Sequence, residues 1–200
     1  RPIRAKNRAT AGSCLTLVGL SSPQTRVSIG DKTGDVYPVL WSEGDALGVF
    51  SRTAGTDINN VQSLLSDESI GQNSGVFTSD DVKMAEEGAT ELLIYYPYRA
   101  STELAENGNK ITSTLSVEQE QSRPGDSRHI GKYGFAFAKA TVSSPDMLAK
   151  FTLNHAMAYV KFSISSQELL RTSSRVSLYM TRRQRLLFPV YSQQIWIRTN

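Results

Sequence analysis

The chain has 200 residues, of which 39% are hydrophobic and 20% are charged, and its formal net charge is +3. This composition is that of an ordinary globular protein, and no apolar stretch reaches the roughly 18 residues that a membrane-spanning helix needs. The single cysteine, Cys14, excludes an internal disulfide and a multi-cysteine metal site. We expect Cys14 to be a small, partly buried side chain at the start of a strand.

Charge is unevenly distributed along the chain. Residues 1–30 carry five basic residues and no acid, residues 171–200 carry six arginines and no acid, and all 19 acidic residues lie between them. Three interpretations of the basic ends stay open: a fragment or frameshifted end, an ordinary β segment, or an arm for nucleic acid. Because the final arginines alternate with apolar runs, at 186–190 and 195–197, nucleic acid is not the expected partner.

Short apolar runs bounded by Gly, Ser, Asp, Asn and Pro recur along the chain and predict strands. In chain order they are 15–20, 26–30, 36–41, 46–51, 75–78, 92–96, 110–117, 134–140 and 151–165. Only 57–65 and 166–170 have patterns that allow a turn or two of helix. Many short strands at this spacing predict an all-β sandwich or barrel.

The last run, residues 151–165, changes its buried face. Its apolar positions are odd up to Tyr159 and even from Val160 onward. A strand keeps one face buried through such a switch only by a bulge or by passing into another sheet. We therefore divide the chain just before this run. The divisions are an N-terminal segment 1–25, a β-sandwich domain 26–147, and 148–200, an interdomain strand that begins a second, truncated β domain.

The stretch from Trp41 to Asp45 places two carboxylates, Glu43 and Asp45, beside a tryptophan. Gly44 lies inside a short polar loop between two apolar runs, which predicts a β-hairpin turn. On such an exposed loop the two carboxylates have no reason to act as a tuned acid and base. This stretch is therefore interpreted as a turn.

No other pattern predicts catalysis or metal binding. The two histidines, His129 and His155, lack a second ligand at metal spacing, and we expect His155 to be a core side chain. Residues 125–133 only superficially resemble a phosphate loop, because the spacing between the glycines is too long. We expect no catalytic residue, no metal and no cofactor. A secreted hydrolase would need one of the histidines beside a nucleophile.

The aromatic cluster Tyr95-Tyr96-Pro97-Tyr98 allows two interpretations. A continuous apolar run ended by proline is typical of a buried central strand. Exposed rings would instead stack on sugars. Under this alternative the protein is a surface carbohydrate-binding module, with Trp41, Tyr95, Tyr96 and Tyr98 as candidate ligand contacts.

Several motifs together resemble the fimbrillin-like (Mfa-like) pilus subunits of the Bacteroidales. The motifs, all within residues 24–165, are Thr25-Arg26, Trp41-x-x-Gly44-Asp45-x-x-Gly48-Val49-Phe50, Tyr95-Tyr96-Pro97-Tyr98, Gln119 with Gln121, and Phe151-x-x-x-His155-Ala156-x-Ala158-x-Val160-x-Phe162. The resemblance implies transthyretin-like Greek-key β-sandwich domains. It also implies a non-enzymatic structural subunit for cell adhesion, exported as a lipoprotein and displayed on an outer-membrane fimbrium.

The resemblance further implies how the subunit assembles. An arginine-specific maturation protease removes the first strand, and a strand from another fimbrial subunit fills the groove. Here Arg26 is the candidate cleavage site and residues 15–20 are the candidate removable strand. The expected partners are other fimbrial subunits, in a homopolymer or as tip and shaft, together with that protease. A host or bacterial surface glycan is a further partner under the alternative.

Overall fold

Strands dominate the protein, which confirms the all-β prediction. The structure, a computed structural model, describes residues 15–21, 28–29, 39–81, 84–85, 88–105, 108, 110–114, 119–120, 129–143, 147–156, 158–163, 176–180, 184–188 and 194–199. The strands are β1 Leu15–Ser21, β2 Ser28–Ile29, β3 Val39–Leu40, β4 Ala46–Ser51, β5 Val61–Leu65, β6 Ser74–Ser79, β7 Ala89–Tyr96, β8 Glu103–Leu104, β9 Ile111–Thr112, β10 Gln119–Glu120, β11 Ala136–Ser143, β12 Leu148–His155, β13 Ala158–Ser163, β14 Val176–Met180, β15 Gln184–Phe188 and β16 Gln194–Thr199. The helices are a 3-10 turn at Asp67–Ser69 and α1 at His129–Tyr133.

Seven strands close into a barrel in the order β1-β12-β11-β7-β4-β5-β6. Neighbouring strands are antiparallel except for β1 and β12, which run parallel. Two junctions are narrow: two residue pairs join β11 to β12, and two join β5 to β6. They divide the barrel into a four-stranded part, β5-β4-β7-β11, and a three-stranded part, β6-β1-β12.

The core fills the barrel because inward side chains alternate with outward ones. Every second residue is buried along β6, β12 and most of β11, as period-2 strand geometry requires. Both parts of the barrel contribute to the core, which includes Leu15, Leu17, Leu47, Val49, Phe77, Leu92, Ile94, Tyr96, Phe151 and Leu153, together with Trp41 from the turn before β4.

A second buried layer covers the outward face of β4 and β7. Phe50 and Tyr95 point away from the barrel interior, yet they are only 1% and 0% exposed. The Tyr95 ring stacks between Phe50 and Phe135, with ring centroids 5.9 Å apart in both pairs. This explains why β7 reads as a continuous apolar run, since both of its faces are buried.

Residues 57–65 were expected to allow a helical turn, and this prediction is wrong, because residues 57–60 form no helix and the rest is a strand. Val61–Leu65 is strand β5, paired with β4 from Ala46↔Leu64 to Val49↔Val61. The weak helical preference of this segment is overridden by its hydrogen bonding to β4 and by the burial of Ser63, whose two neighbours face outward. Tertiary packing routinely overrides local preference in this way.

A change of sheet occurs within residues 151–165, but it lies before the parity switch, because Tyr159 and Val160 both belong to β13. β12 ends at His155, and β13 pairs with β16 outside the barrel. β12 itself is hydrogen bonded to β1 and β11, so residues 148–155 belong to the same barrel as β4, β5, β6, β7 and β11. The remaining described strands form small separate sheets: β2-β3, β8-β9 and β10-β15-β14.

Within the described residues, no helix has the length and apolar character needed to cross a membrane.

Candidate functional site

The first strand, β1, closes the barrel. It pairs along six residues with β12 on one side and along six residues with β6 on the other. β12 and β6 are not hydrogen bonded to each other, and β1 is the strand that lies between them in the barrel order. Without β1, each of these strands would present an unpaired backbone edge.

The inward side chains of β1 belong to the main core. Leu15 and Leu17 are both 0% exposed, whereas Leu20 on the outward face is 54% exposed. Burying a leucine side chain stabilises a fold by roughly 1.5–3 kcal/mol. The two leucines therefore leave an apolar groove if the strand departs.

Gly19 marks the narrow end of this groove. A Cβ atom built on Gly19 would lie 3.1 Å from Cζ of Phe151 and 3.6 Å from Cε2 of Phe77. The groove therefore accepts large aliphatic side chains at the positions of Leu15 and Leu17 and a small one at Gly19. This size pattern is visible in the sequence only after the register is known.

Two residues that were predicted to matter near this strand, Arg26 and Cys14, lie outside the described residues.

The stretch from Trp41 to Asp45 forms the predicted turn. Gly44 has φ +82°, and the Asp45 amide donates to the Ser42 carbonyl across 3.1 Å, as in a β-turn. It is not a hairpin, because β3 pairs with β2 whereas β4 pairs with β5 and β7. The physical reason is that Trp41 inserts into the core, and its amide donates to the Gln72 carbonyl at 2.9 Å.

The expectation that both carboxylates are exposed is correct for Glu43 and wrong for Asp45. Asp45 is partly buried, and burial raises its pKa from 3.8 to about 6, although two hydrogen bonds favour the charged form. Its Oδ2 accepts from the Ser42 amide at 2.6 Å and its Oδ1 from the Tyr96 hydroxyl at 3.0 Å. Asp45 thus ties the turn to the central strand β7.

Three of the four candidate ligand-contact rings are core residues. Trp41, Tyr95 and Tyr96 are 2%, 0% and 2% exposed. The Trp41 ring meets Phe77 and Tyr96 edge to face, with centroids 5.0 and 5.5 Å apart, a favourable geometry for aromatic pairs. In this arrangement the three rings have no face free for a sugar.

Tyr98 is different, because it is partly exposed and lines an open pocket of about 540 Å³ between β5 and β6. Its backbone is fixed, since the Tyr98 amide donates to the Ala46 carbonyl at 2.9 Å. Sequence reasoning missed the rest of this pocket, because its residues come from two polar segments without a motif.

The two histidines lie in different elements and are both partly buried. His155 is partly buried at the end of β12 opposite Ala136, and His129 begins α1 with its ring 6.4 Å from that of Tyr133. In the part of the chain that the structure describes, no group of three or more His, Cys, Asp or Glu side chains could hold a metal ion.

Comparison with known proteins finds no matching family model and no matching curated protein.

Proposed function

We propose that this chain is a structural, non-enzymatic subunit of a cell-surface fimbria that mediates adhesion and assembles by exchange of its first strand. The observation that carries the proposal is the position of β1. It is the N-terminal strand of the barrel, it bridges β6 and β12, and it contributes two fully buried leucines to the core. A strand from a second subunit would satisfy the same backbone edges and fill the same groove by β-augmentation.

The strand order supports the transthyretin-like Greek-key sandwich that the resemblance implies. In β7-β4-β5-β6, three consecutive strands are followed by a fourth that lies beside the first, which is the Greek-key order. The two narrow junctions, at β11-β12 and β5-β6, are where one sheet would pass into the other. We therefore propose a sandwich of β5-β4-β7-β11 against β6-β1-β12.

The proposal includes the partners and the location that the resemblance implies. The partners are other fimbrial subunits and an arginine-specific maturation protease that cuts after Arg26. The location is the outer surface, at an outer-membrane fimbrium. This cut would free β1 from the rest of the chain, because Arg26 lies between β1 and β2 in the sequence.

The test is limited digestion of the full chain with an arginine-specific protease, followed by sizing and mass spectrometry. We expect a cut after Arg26, release of β1 and growth of polymers. The matched controls are Arg26→Lys, which removes the site but keeps the charge, and Arg52→Lys, which alters an exposed arginine elsewhere. Arg26→Lys should stay monomeric, whereas Arg52→Lys should polymerise like the parent chain.

A synthetic peptide of residues 15–21 makes the test specific for the groove. Added during digestion, it should occupy the groove and stop polymer growth. A peptide with Leu17→Asp should not stop polymer growth, because position 17 is buried. A peptide with Leu20→Asp should still stop it, because position 20 is exposed. A chain that is cut at Arg26, loses β1 and remains monomeric would contradict the proposal.

The alternative function, a carbohydrate-binding module that uses all four candidate rings, is less well supported because three of the rings are buried. Only the surroundings of Tyr98 favour a binding role.

A further inference from the structure

The pocket beside Tyr98 exists because β5 and β6 diverge. Their ladder is limited to Leu64↔Thr78 and Leu65↔Phe77. Continued by two residues, the same register would oppose Gln62 to Asp80. The pocket lies between these strand ends instead, with both Gln62 and Asp80 in its wall. Its volume of about 540 Å³ is in the range of small-molecule sites, roughly 300–1,000 Å³.

The lining of the pocket combines apolar and polar groups. Leu64, which is 53% exposed, and the partly exposed ring of Tyr98 supply apolar surface. Gln62, Asn59 and Asp80 supply exposed amide and carboxylate groups. A saccharide ring has the same division, with C–H groups on its faces and hydroxyl groups around its edge. Amides can donate to and accept from neighbouring hydroxyls, carboxylates accept from them, and an aromatic ring can pack on the C–H face.

The wall near Tyr98 is held in place before any ligand arrives. The Asn60 amide donates to the Arg99 carbonyl at 3.0 Å and to the Ala100 carbonyl at 3.3 Å. Asn60 also accepts from the Tyr95 hydroxyl at 2.7 Å. These bonds fix the segment after Tyr98 against the start of β5. A preorganised wall lowers the entropy cost of binding.

The charge of the lining selects among ligands. Among the described residues that line the pocket, Asp80 and Asp81 are the charged ones, and none is Lys, Arg or His. These two carboxylates repel an anionic ligand such as a sialic acid, a uronic acid or a phosphate. The lining therefore favours an uncharged ligand.

We propose that the pocket between β5 and β6 binds a neutral saccharide, such as a hexose or an N-acetylhexosamine at the end of a glycan. The Tyr98 ring packs on its C–H face, and Gln62 and Asp80 bond its hydroxyls. This binding activity goes beyond assembly. The binding is a property of the monomer and does not require strand exchange, so the two proposals are tested independently.

The experiment uses the undigested, full-length chain. It is screened on a glycan array that contains matched neutral and acidic glycans. Hits are then titrated by calorimetry. The variants are Tyr98→Ala, Tyr98→Phe, Gln62→Ala and Asp80→Asn. The matched controls are Gln72→Ala and Asp67→Asn, which alter exposed residues of the same types outside the pocket. Circular dichroism and thermal melting establish that each variant is folded.

We expect neutral glycans to bind in preference to their sialylated counterparts. Tyr98→Ala, Gln62→Ala and Asp80→Asn should each weaken binding about tenfold or more, whereas Gln72→Ala and Asp67→Asn should not change it. Tyr98→Phe should retain most of the affinity, because it keeps the ring. Binding to no neutral glycan, a preference for acidic glycans, or equal affinity in folded pocket variants and controls would each overturn the proposal.

Discussion

The ring of Tyr95 lies directly on the backbone of Gly48. The two residues are cross-strand partners on β7 and β4, and a Cβ atom on Gly48 would overlap the ring. The ring cannot move aside easily, because Phe50 and Phe135 stack on it. Two motifs that are far apart in the sequence are therefore one structural unit, in which an aromatic side chain covers a strand glycine.

We predict that Gly48→Ala destabilises the protein by about 1–3 kcal/mol, the usual cost of overpacking a well-packed site. The measurement is urea unfolding. In a double-mutant cycle with Tyr95→Ala, the double variant should lose less stability than the sum of the two single variants, because the overlap needs both residues. Strict additivity would show that the overlap is relieved in another way.

Asp45 should make the protein more stable at mildly acidic pH. Its folded-state pKa of about 6 lies above the ordinary aspartate value of 3.8. Between these values the folded state binds the proton more tightly, so the free energy of unfolding falls as pH rises from about 4 to 6. A shift of about two units corresponds to a loss of up to about 3 kcal/mol.

Asp45→Asn should remove this part of the pH dependence. The amide can keep both hydrogen bonds, accepting from the Ser42 amide and donating to the Tyr96 hydroxyl oxygen. The measurement is urea unfolding at pH 4, 5, 6 and 7, with Asp67→Asn as an exposed control. If the free energy of unfolding changes with pH in parallel for Asp45→Asn and the parent chain, the burial of Asp45 does not cause this pH dependence.

The two faces of β1 should respond differently to the same substitution. Leu17→Ala removes a side chain that is 0% exposed and should cost about 2–5 kcal/mol. Leu20→Ala alters one that is 54% exposed and should stay within about 0.5 kcal/mol. Chemical denaturation of the uncut chain measures both. Equal effects would mean that β1 is not seated in the register described.

Tyr95→Phe should destabilise the protein by about 1–2 kcal/mol, because it removes a hydroxyl that bonds buried and partly buried groups. This hydroxyl donates to Oδ1 of Asn60 at 2.7 Å and accepts from the Arg99 amide at 3.1 Å. Thermal unfolding gives the change, and Tyr133→Phe on α1 is the control. If Tyr95→Phe costs no stability in a chain that already carries Asn60→Ala, the lost stability is that of the Tyr95–Asn60 bond.

The sequence by itself determined the all-β class and the position of most strands. Residues 46–51 became β4 with the predicted bounds, because apolar runs bounded by turn residues predict strands wherever they pack. The parity switch within residues 151–165 predicted a bulge or a change of sheet. The sheet does change in this run, but it does so after His155, whereas the switch at Tyr159 and Val160 lies inside β13.

Only the tertiary structure decided which side of each strand is inside. In the sequence, Phe135 and Phe137 alternate with Ala136 and Ala138, which places the two pairs on opposite faces of a strand. The alternation does not say which face is buried. In the barrel both alanines are at most 5% exposed and Phe137 is 45% exposed. Likewise, Trp41, Tyr95, Tyr96 and Tyr98 are all aromatic candidates in the sequence, yet the first three are buried and Tyr98 lines a pocket. Period-2 patterns report alternation, whereas burial depends on which strands pair across the fold, and no local pattern encodes that pairing.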